Sequence, residues 1–449
     1  MQYKVFGCKV NKYYTDRWLN SEYLSDKTGT FVASCVVTDS AKRKWVRFVK
    51  KELSQIDTGD KIYISGCGAF KDGKAQDNFF ELYPELDFAK EKIEILDEAP
   101  EEDQGALSLR DEEKKEMHDN FMTWEKKGIN LQKLEKLKQT QIYTKKFILI
   151  QGWCDSFCTF CLTVQKRGRH YYRSAEDIVE EIVDFEKEGG KEVVLTGVNL
   201  SAWGLKNTHN LENFSSDVIK QGKNWGNASR FWELLRYILK HTTIPRIRIS
   251  SLWPEFVTDD VLEIFAEERI YPHFHYSIQS GSSNVLASMA RHYDGEYMRK
   301  LLKKTLEIQR TDGVDISIGA DIIVWFPWES EQDFLETYNL VKDYNITKLH
   351  AFPFSPHTMG ESVPAGIFKN QVPEKIKKER MEEILELWEK NRQNFYNSQV
   401  WKTLKVLVEK SGNNTFSGWT ENYLEAGEHN FEIVSGTPKK NQIVIGKLK

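Results

Sequence analysis

The chain has 449 residues, 40% hydrophobic and 29% charged, a globular balance with length for roughly two to four domains. No apolar run approaches the length of a membrane-spanning helix, and the first residues, Met1-Gln-Tyr-Lys-Val-Phe-Gly7, lack the layout of a secretory leader. A net charge of −4 favours no partner class by itself, and six cysteines without a leader point to a reducing, cytoplasmic setting where thiols serve metals or catalysis.

Residues 1–98 alternate short apolar runs, such as Lys61-Ile-Tyr-Ile-Ser65, with polar helical stretches, which predicts an N-terminal α/β domain. Cys8, Cys35 and Cys67 each stand in a Gly- or Ser-flanked turn after a strand-like run. A parallel sheet gathers such turns on one edge, so the three thiols can meet; buried structural cysteines are the alternative. Residues 99–145 open on acidic residues and continue with mixed charge and few aliphatics. That composition reads as a charged linker with a helix or two.

From Lys146 a βα series begins. A strand at Phe147–Gln151 runs into Cys154-Asp-Ser-Phe-Cys158-Thr-Phe-Cys161, a C-x3-C-x2-C loop. Three thiolates on one loop would hold three irons of a four-iron cube and leave the fourth open. Zinc ligands come as two separated pairs or with histidines, and no such partner pair stands nearby. A capping box at Ser174-Ala-Glu-Asp177 starts a helix whose apolar face is Ile178, Val179, Ile182 and Val183. Further strands are expected at Glu192–Gly197, Arg246–Ser251, Phe274–Gln279, Ile316–Val324 and Lys348–Phe354, with a second capping box at Ser330 and Asp333.

Six strands separated by helices predict a partial (βα)6 barrel over residues 146–395, with its site at the C-terminal strand ends, where the cysteine loop falls. An Asn- and Lys-rich stretch between Trp203 and Ser229 reads as a surface insertion. After a charged helix from about Pro373 to Asn397, residues 396–449 turn to short strands (Leu404–Val408, Tyr423-Leu, Phe431–Val434, Ile443–Ile445), which predicts a small terminal β-barrel.

The cysteine loop, with Phe160 before its last cysteine, resembles that of the radical S-adenosylmethionine (SAM) enzymes. Gly7-Cys-Lys-Val-Asn11, Cys35-Val-Val-Thr38 and Ser65-Gly-Cys67 resemble the cysteine motifs of their methylthiotransferase family. So do Arg167-Gly168, Leu195-Thr-Gly-Val-Asn199, Ile249-Ser-Ser-Leu252, Gln279-Ser-Gly-Ser282, Met289-Ala-Arg291 and Ala320-Asp-Ile-Ile-Val324 in the middle. Val406-Leu-Val-Glu409 and Gly418-Trp-Thr-Glu-Asn-Tyr423 resemble its terminal RNA-binding domain, called TRAM.

The resemblance implies two 4Fe–4S clusters, one on Cys154, Cys158 and Cys161 and one on Cys8, Cys35 and Cys67, and two SAM molecules per turnover. A radical made from SAM removes hydrogen from an unactivated C–H, and a methylthio group follows. Phe160, Thr196, Gly197, Asn199, Ser251 and Gln279 are the candidate SAM contacts, and Arg167, Lys402, Lys405 and Tyr423 the candidate RNA contacts. The implied partners are transfer RNA (tRNA), an electron donor such as flavodoxin or ferredoxin and an unidentified sulfur donor, with no membrane.

Lys9-Val10 is similar to the branch acting on N6-threonylcarbamoyladenosine beside the anticodon. The isopentenyladenosine branch, the ribosomal-protein aspartate branch and an inactive RNA-binding iron–sulfur protein are the alternatives. A pure electron carrier would need neither a SAM barrel nor a TRAM-like end.

The chain departs from the family at several points. Trp153, Trp325 and Trp328 stand where it shows glycine, Trp253 where an acidic residue is common, and His357 where it has arginine. Thirteen tryptophans and three at glycine positions both follow if UGA codons meaning glycine were translated as tryptophan. Strained backbone is then expected beneath those indoles.

Overall fold

The alternation in residues 1–98 folds as a parallel sheet of β1 (Gln2–Val5), β2 (Gly29–Ser34), β3 (Lys61–Gly66) and β4 (Ile93–Ile95), side by side in that order. Residues 1–100, 144–152, 154, 156–167, 171–205, 229–359, 361–412 and 415–449 are described in this computed structural model. Most of the expected linker and of the Asn-rich insertion lies outside them. Side chains alternate across a strand, and both faces of this sheet are apolar. Val32, Ile62 and Ile64 pack on Trp45, Val46 and Val49 of α2 (Asp39–Leu53). Phe31, Ala33 and Tyr63 pack with Trp18 of α1 (Lys9–Leu19). The chain divides into two compact units, and this sheet belongs to the first.

In the second unit, β5 (Lys146–Gly152), β6 (Glu192–Gly197) and β7 (Arg246–Ile249) lie parallel in chain order. β8 (His273–Gln279), β9 (Ser317–Val324) and β10 (Lys348–Pro353) form a second parallel set. Parallel bridges Ile247↔Ile270 and Leu252↔Tyr276 join the two sets, giving the expected partial (βα)6 barrel. Its main helices are α3 (Ala175–Lys187), α4 (Phe231–His241), α5 (Gly295–Leu306), α6 (Glu331–Asp343) and α7 (Glu374–Gln399). Ser330 and Asp333 cap α6 reciprocally, whereas Ser174 makes only the first half of its box, accepting from the Asp177 N–H.

Phe274, Tyr276 and Ile278 of β8 join Ile318 and Ala320 of β9 under Leu301, Leu302, Leu340 and Val341 of α5 and α6. Burying each such aliphatic side chain stabilises by about 1.5–3 kcal/mol. By the same alternation His273, His275, Ser277 and Gln279 take the concave face. The last residues form an antiparallel sheet in the order β13 (Glu425–Gly427), β12 (Thr415–Thr420), β11 (Thr403–Gly412), β15 (Ile443–Leu448), β14 (Phe431–Ser435). Tyr423-Leu, expected as a strand, is instead a tight turn in which Tyr423 holds φ at 69°.

This terminal sheet closes the N-terminal mouth of the barrel. Glu192, Arg246, His273 and Ser317 are the first residues of their strands. Buried Glu192 accepts from Arg246 Nε at 2.8 Å and from Arg248 Nε at 3.1 Å. Arg246 lies over Tyr271 and donates to the Trp419 carbonyl, while Arg248 lies over Tyr423. Tyr423 stacks between His273 and Trp419.

Burial pushes the Glu192 carboxyl up, but Arg248, Arg246 and Lys145 hold it down at about 2. A carboxylate held low contributes stability that is fully present above its ordinary value of 4.5 and lost as pH falls toward about 2. Removing one member of a buried ion pair strands the other charges, so Glu192→Ala should destabilise the second unit by about 3–5 kcal/mol. Urea unfolding at neutral pH measures it. A loss below about 1 kcal/mol, the range of an exposed pair, would contradict this account of the closed end.

Candidate active site

Two cysteine sites are built from turns at C-terminal strand ends, one in each unit. In the first unit β1, β2 and β3 deliver Cys8, Cys35 and Cys67. Asn11 Nδ2 donates to the carbonyls of Phe6 and Ser34, both at 2.8 Å. Ser34 Oγ donates to the Ser65 carbonyl at 2.6 Å and accepts from the Gly68 N–H at 3.0 Å. These bonds tie the three turns together.

Gly7 has φ 96°, and a Cβ there would stand 2.8 Å from Cys35 Sγ. Gly66 has φ 90°, and a Cβ would collide with the Ser34 carbonyl. Only glycine fits such close approach. Cys8 is the exposed N-cap of α1, Cys35 is buried and Cys67 half-buried, and no disulfide joins any of the six cysteines. The three turns share one sheet edge, although their sulfurs do not close to within the 4.8 Å of one another that a formed metal site shows.

The second site is the loop after β5. Thr159 pins it, its N–H donating to the Met289 carbonyl at 3.2 Å and its Oγ1 to that of Ser288 at 2.9 Å. The Thr159 carbonyl in turn accepts from the Ala365 N–H at 2.9 Å. Cys161 Sγ accepts from the Thr163 N–H at 3.3 Å and lies 3.0 Å from Thr163 Oγ1. Burial pushes the Cys154 and Cys158 thiols up and neighbouring thiols add to the push, while Arg291 opposes it at Cys158. Thiols held protonated by burial give up their protons when a metal takes the place, so the loop suits a cluster. Trp153 and Asp155 fall outside the described residues.

Thr196, Gly197 and Asn199 lie at the end of β6, whose strand pairs with β5. The Asn199 N–H donates to Gln151 Oε1 at 2.8 Å, while Thr196 Oγ1 and Asn199 Oδ1 are buried without a partner. Native interiors rarely leave such atoms unsatisfied, and beside the cysteine loop they are fit to meet a polar cofactor. Ser251 Oγ pairs with Ser277 Oγ at 3.0 Å, so its hydroxyl is already engaged. Gln279 sits at φ 69° and is 9% exposed, and Phe160 is half-buried on the loop.

Two charged residues escaped the sequence reading. Buried Arg291 donates Nη1 to Cys158 Sγ at 3.4 Å, Nη2 to the Ser277 carbonyl at 3.2 Å and Nε to Tyr293 Oη at 3.1 Å. Its guanidinium lies 3.9 Å over the Trp253 ring. Glu255 Oε2 is 4.0 Å away, buried and without a hydrogen-bond partner. On the concave face Asp321 Oδ1 meets His275 Nε2 at 2.9 Å and His350 Nδ1 at 3.1 Å. The alternation His273-Phe-His275-Tyr and an aspartate inside an apolar strand were the available signals.

Of the candidate RNA contacts, one is buried and three lie where the terminal sheet meets the barrel. Arg167 is buried, 2% exposed, and offers no surface to RNA. Lys402 pairs with Asp315 at 2.6 Å and Lys405 with Glu268. Tyr423 is held between two rings with Arg248 against it. These contacts tie the terminal sheet to the barrel, while Lys402 and Lys405 keep 44% and 41% of their side chains exposed.

A hydrogen bond to a cluster-ligating sulfur favours the more negative, reduced cluster. Arg291→Gln should therefore lower the midpoint potential of the Cys154–Cys161 cluster, measured by redox-poised EPR. An unchanged potential would show that the Arg291 contact does not reach the cluster.

The sequence profile of the Radical SAM superfamily matches residues 148–341, from β5 through α6. Threonylcarbamoyladenosine tRNA methylthiotransferase MtaB of Aquifex aeolicus (strain VF5) is 34% identical over 65% of this chain, which spans 63% of that protein's length. The MtaB of Bacillus subtilis (strain 168) is 26% identical over 94% of this chain and 89% of its own. The tRNA-2-methylthio-N(6)-dimethylallyladenosine synthase of the same strain is 28% identical over 93% and 78%. With the profile across its barrel and methylthiotransferases matching it nearly end to end, the chain is similar to the radical SAM methylthiotransferases.

Proposed function

We propose that this protein installs a methylthio group on N6-threonylcarbamoyladenosine beside the anticodon of tRNA. The observation that carries the reading is the three-cysteine set at C-terminal strand ends in each unit, in a chain similar to MtaB proteins. When bound, a 4Fe–4S cluster on Cys154, Cys158 and Cys161 and SAM supply the radical, and a second cluster on Cys8, Cys35 and Cys67, with a second SAM, supplies the methylthio group.

The remaining chemistry belongs to the chain's own side chains. Thr196 Oγ1, Asn199 Oδ1 and Glu255 Oε2, buried without hydrogen-bond partners, offer acceptors to a cationic amino group. Arg291 stands by for a carboxylate and steadies Cys158. The terminal sheet closes the far mouth of the barrel through Arg246, Arg248 and Tyr423 and keeps water from that end. Electrons come from a small carrier of the flavodoxin or ferredoxin kind.

The similarity to a dimethylallyladenosine synthase favours one second reading, methylthiolation of an isopentenyl-type adenosine. Nucleoside mass spectrometry separates the two. The chain is expressed in a host stripped of its own methylthiotransferases but keeping both precursor nucleosides. The 2-methylthio derivative of threonylcarbamoyladenosine is the expected product; that of the dimethylallyl nucleoside would replace the first reading with the second. Neither product, from protein that still cleaves SAM, would overturn both. Replacing Cys8, Cys35 and Cys67 by alanine should abolish the product and spare SAM cleavage, whereas Cys154→Ala should abolish both.

A further inference from the structure

Among the described residues, twelve that are not glycine hold a positive φ, the left-handed region in which an L side chain crowds its own backbone. Asp72, Asn345, Asn370 and Asn441 are of the short polar kind that tolerates it. Three of the twelve are tryptophan, Trp325 at 72°, Trp328 at 70° and Trp401 at 67°. Yet tryptophan supplies only 13 of the 449 residues. Glycine is the default residue for such turns, and a bulky aromatic is a genuine outlier.

At each position the backbone uses the left-handed turn and the indole adds little. The Trp325 N–H donates to Glu329 Oε2 at 2.9 Å, Trp328's to the Asn370 carbonyl at 3.2 Å and Trp401's to the Leu448 carbonyl at 2.9 Å. The Trp325 ring is buried with its own N–H unpartnered, which a buried tryptophan normally avoids. Trp328 leaves 49% of its surface exposed and rests on Phe368, and Trp401 leaves 61%. Trp401 is also the residue after Val400, the C-cap of α7, where helices most often place a left-handed glycine.

Three ordinary tryptophans differ on both counts, whereas Trp45, buried and outside the left-handed set, shares the unpartnered indole N–H. Trp18, Trp203 and Trp388 are absent from the left-handed set. Their indole N–H groups donate to the carbonyls of Asp97 and Glu98, of Arg173 and of Thr347.

We infer that residues 325, 328 and 401 are glycine in the protein made by its own cell. Tryptophan has one codon, UGG, and UGA differs from it only in the third base. A gene whose UGA codons are read as glycine, translated with UGA as tryptophan, produces indoles at glycine turns and nowhere else that matters. With glycine at 325, the end of β9 carries no indole at the mouth of the barrel where the cysteine loop lies. The inference rests on backbone angles and stands whatever substrate the enzyme takes.

The codons decide it. UGA at 325, 328 and 401, with UGG at 18, 203 and 388, is the expected result. UGG at any of the first three overturns the inference, and so does UGA at any of the other three, since UGA would then encode working tryptophans. Trp153, outside the described residues, is read in the same experiment. As a check on the protein, the chain carrying Trp325→Gly, Trp328→Gly and Trp401→Gly should melt at a higher temperature than the chain with the indoles. An unchanged or lower Tm would contradict the argument from strain.

Discussion

Parallel strands all run one way, so the turn that follows each strand comes out on the same edge of the sheet as its neighbours'. Cysteine chemistry in both units depends on that constraint. In the first, β1, β2 and β3 end in Gly7-Cys8, Cys35 and Gly66-Cys67, and Asn11 with Ser34 stitches the three turns into one surface. In the second, β5 and β6 end in the Cys154 loop and in Thr196–Asn199, whose buried polar atoms are left without partners. An antiparallel arrangement would have sent alternate turns to opposite edges and scattered the thiols.

The barrel treats its two ends differently. The N-terminal end is finished with charge, Glu192 between Arg246 and Arg248, and the terminal sheet lies across it with Tyr423 stacked under Arg248. A buried triad of this kind adds little net stability but leaves costly unpaired charge if any member is lost, so it fixes where the terminal sheet docks. The C-terminal end instead keeps buried acceptors without hydrogen-bond partners and a buried cation, Arg291, set against Cys158 with Glu255 nearby. The N-terminal end is covered by the terminal sheet, although Arg246 Nη1 and both Nη atoms of Arg248 remain buried without a hydrogen-bond partner.

The fold was legible because it rests on periodicity. β6 occupies the span read from Glu192-Val-Val-Leu-Thr-Gly197, β9 begins one residue later than expected, and Ser330 caps α6 as its motif says. What the sequence did not show depended on partners distant in it. Lys402, Lys405 and Tyr423 read as RNA contacts because basic and aromatic residues suit nucleic acid, and each also meets a barrel residue, Asp315, Glu268 and His273. Arg291 stood within a quoted motif without a role, since Cys158 is 133 residues away. Trp325 and Trp328 were singled out by resemblance, whereas Trp401 became visible only through its backbone angle, for which hydrophobic pattern carries no signal.

The central claim is that each cysteine triad holds its own four-iron cluster. Iron analysis with Mössbauer spectroscopy on the anaerobically reconstituted chain tests it most directly. Two three-thiolate sites should give about eight irons per chain in two spectroscopically distinct clusters, falling to about four when either triad is replaced by alanine. Full iron retained after loss of Cys8, Cys35 and Cys67, or a single cluster in the unaltered chain, would contradict it.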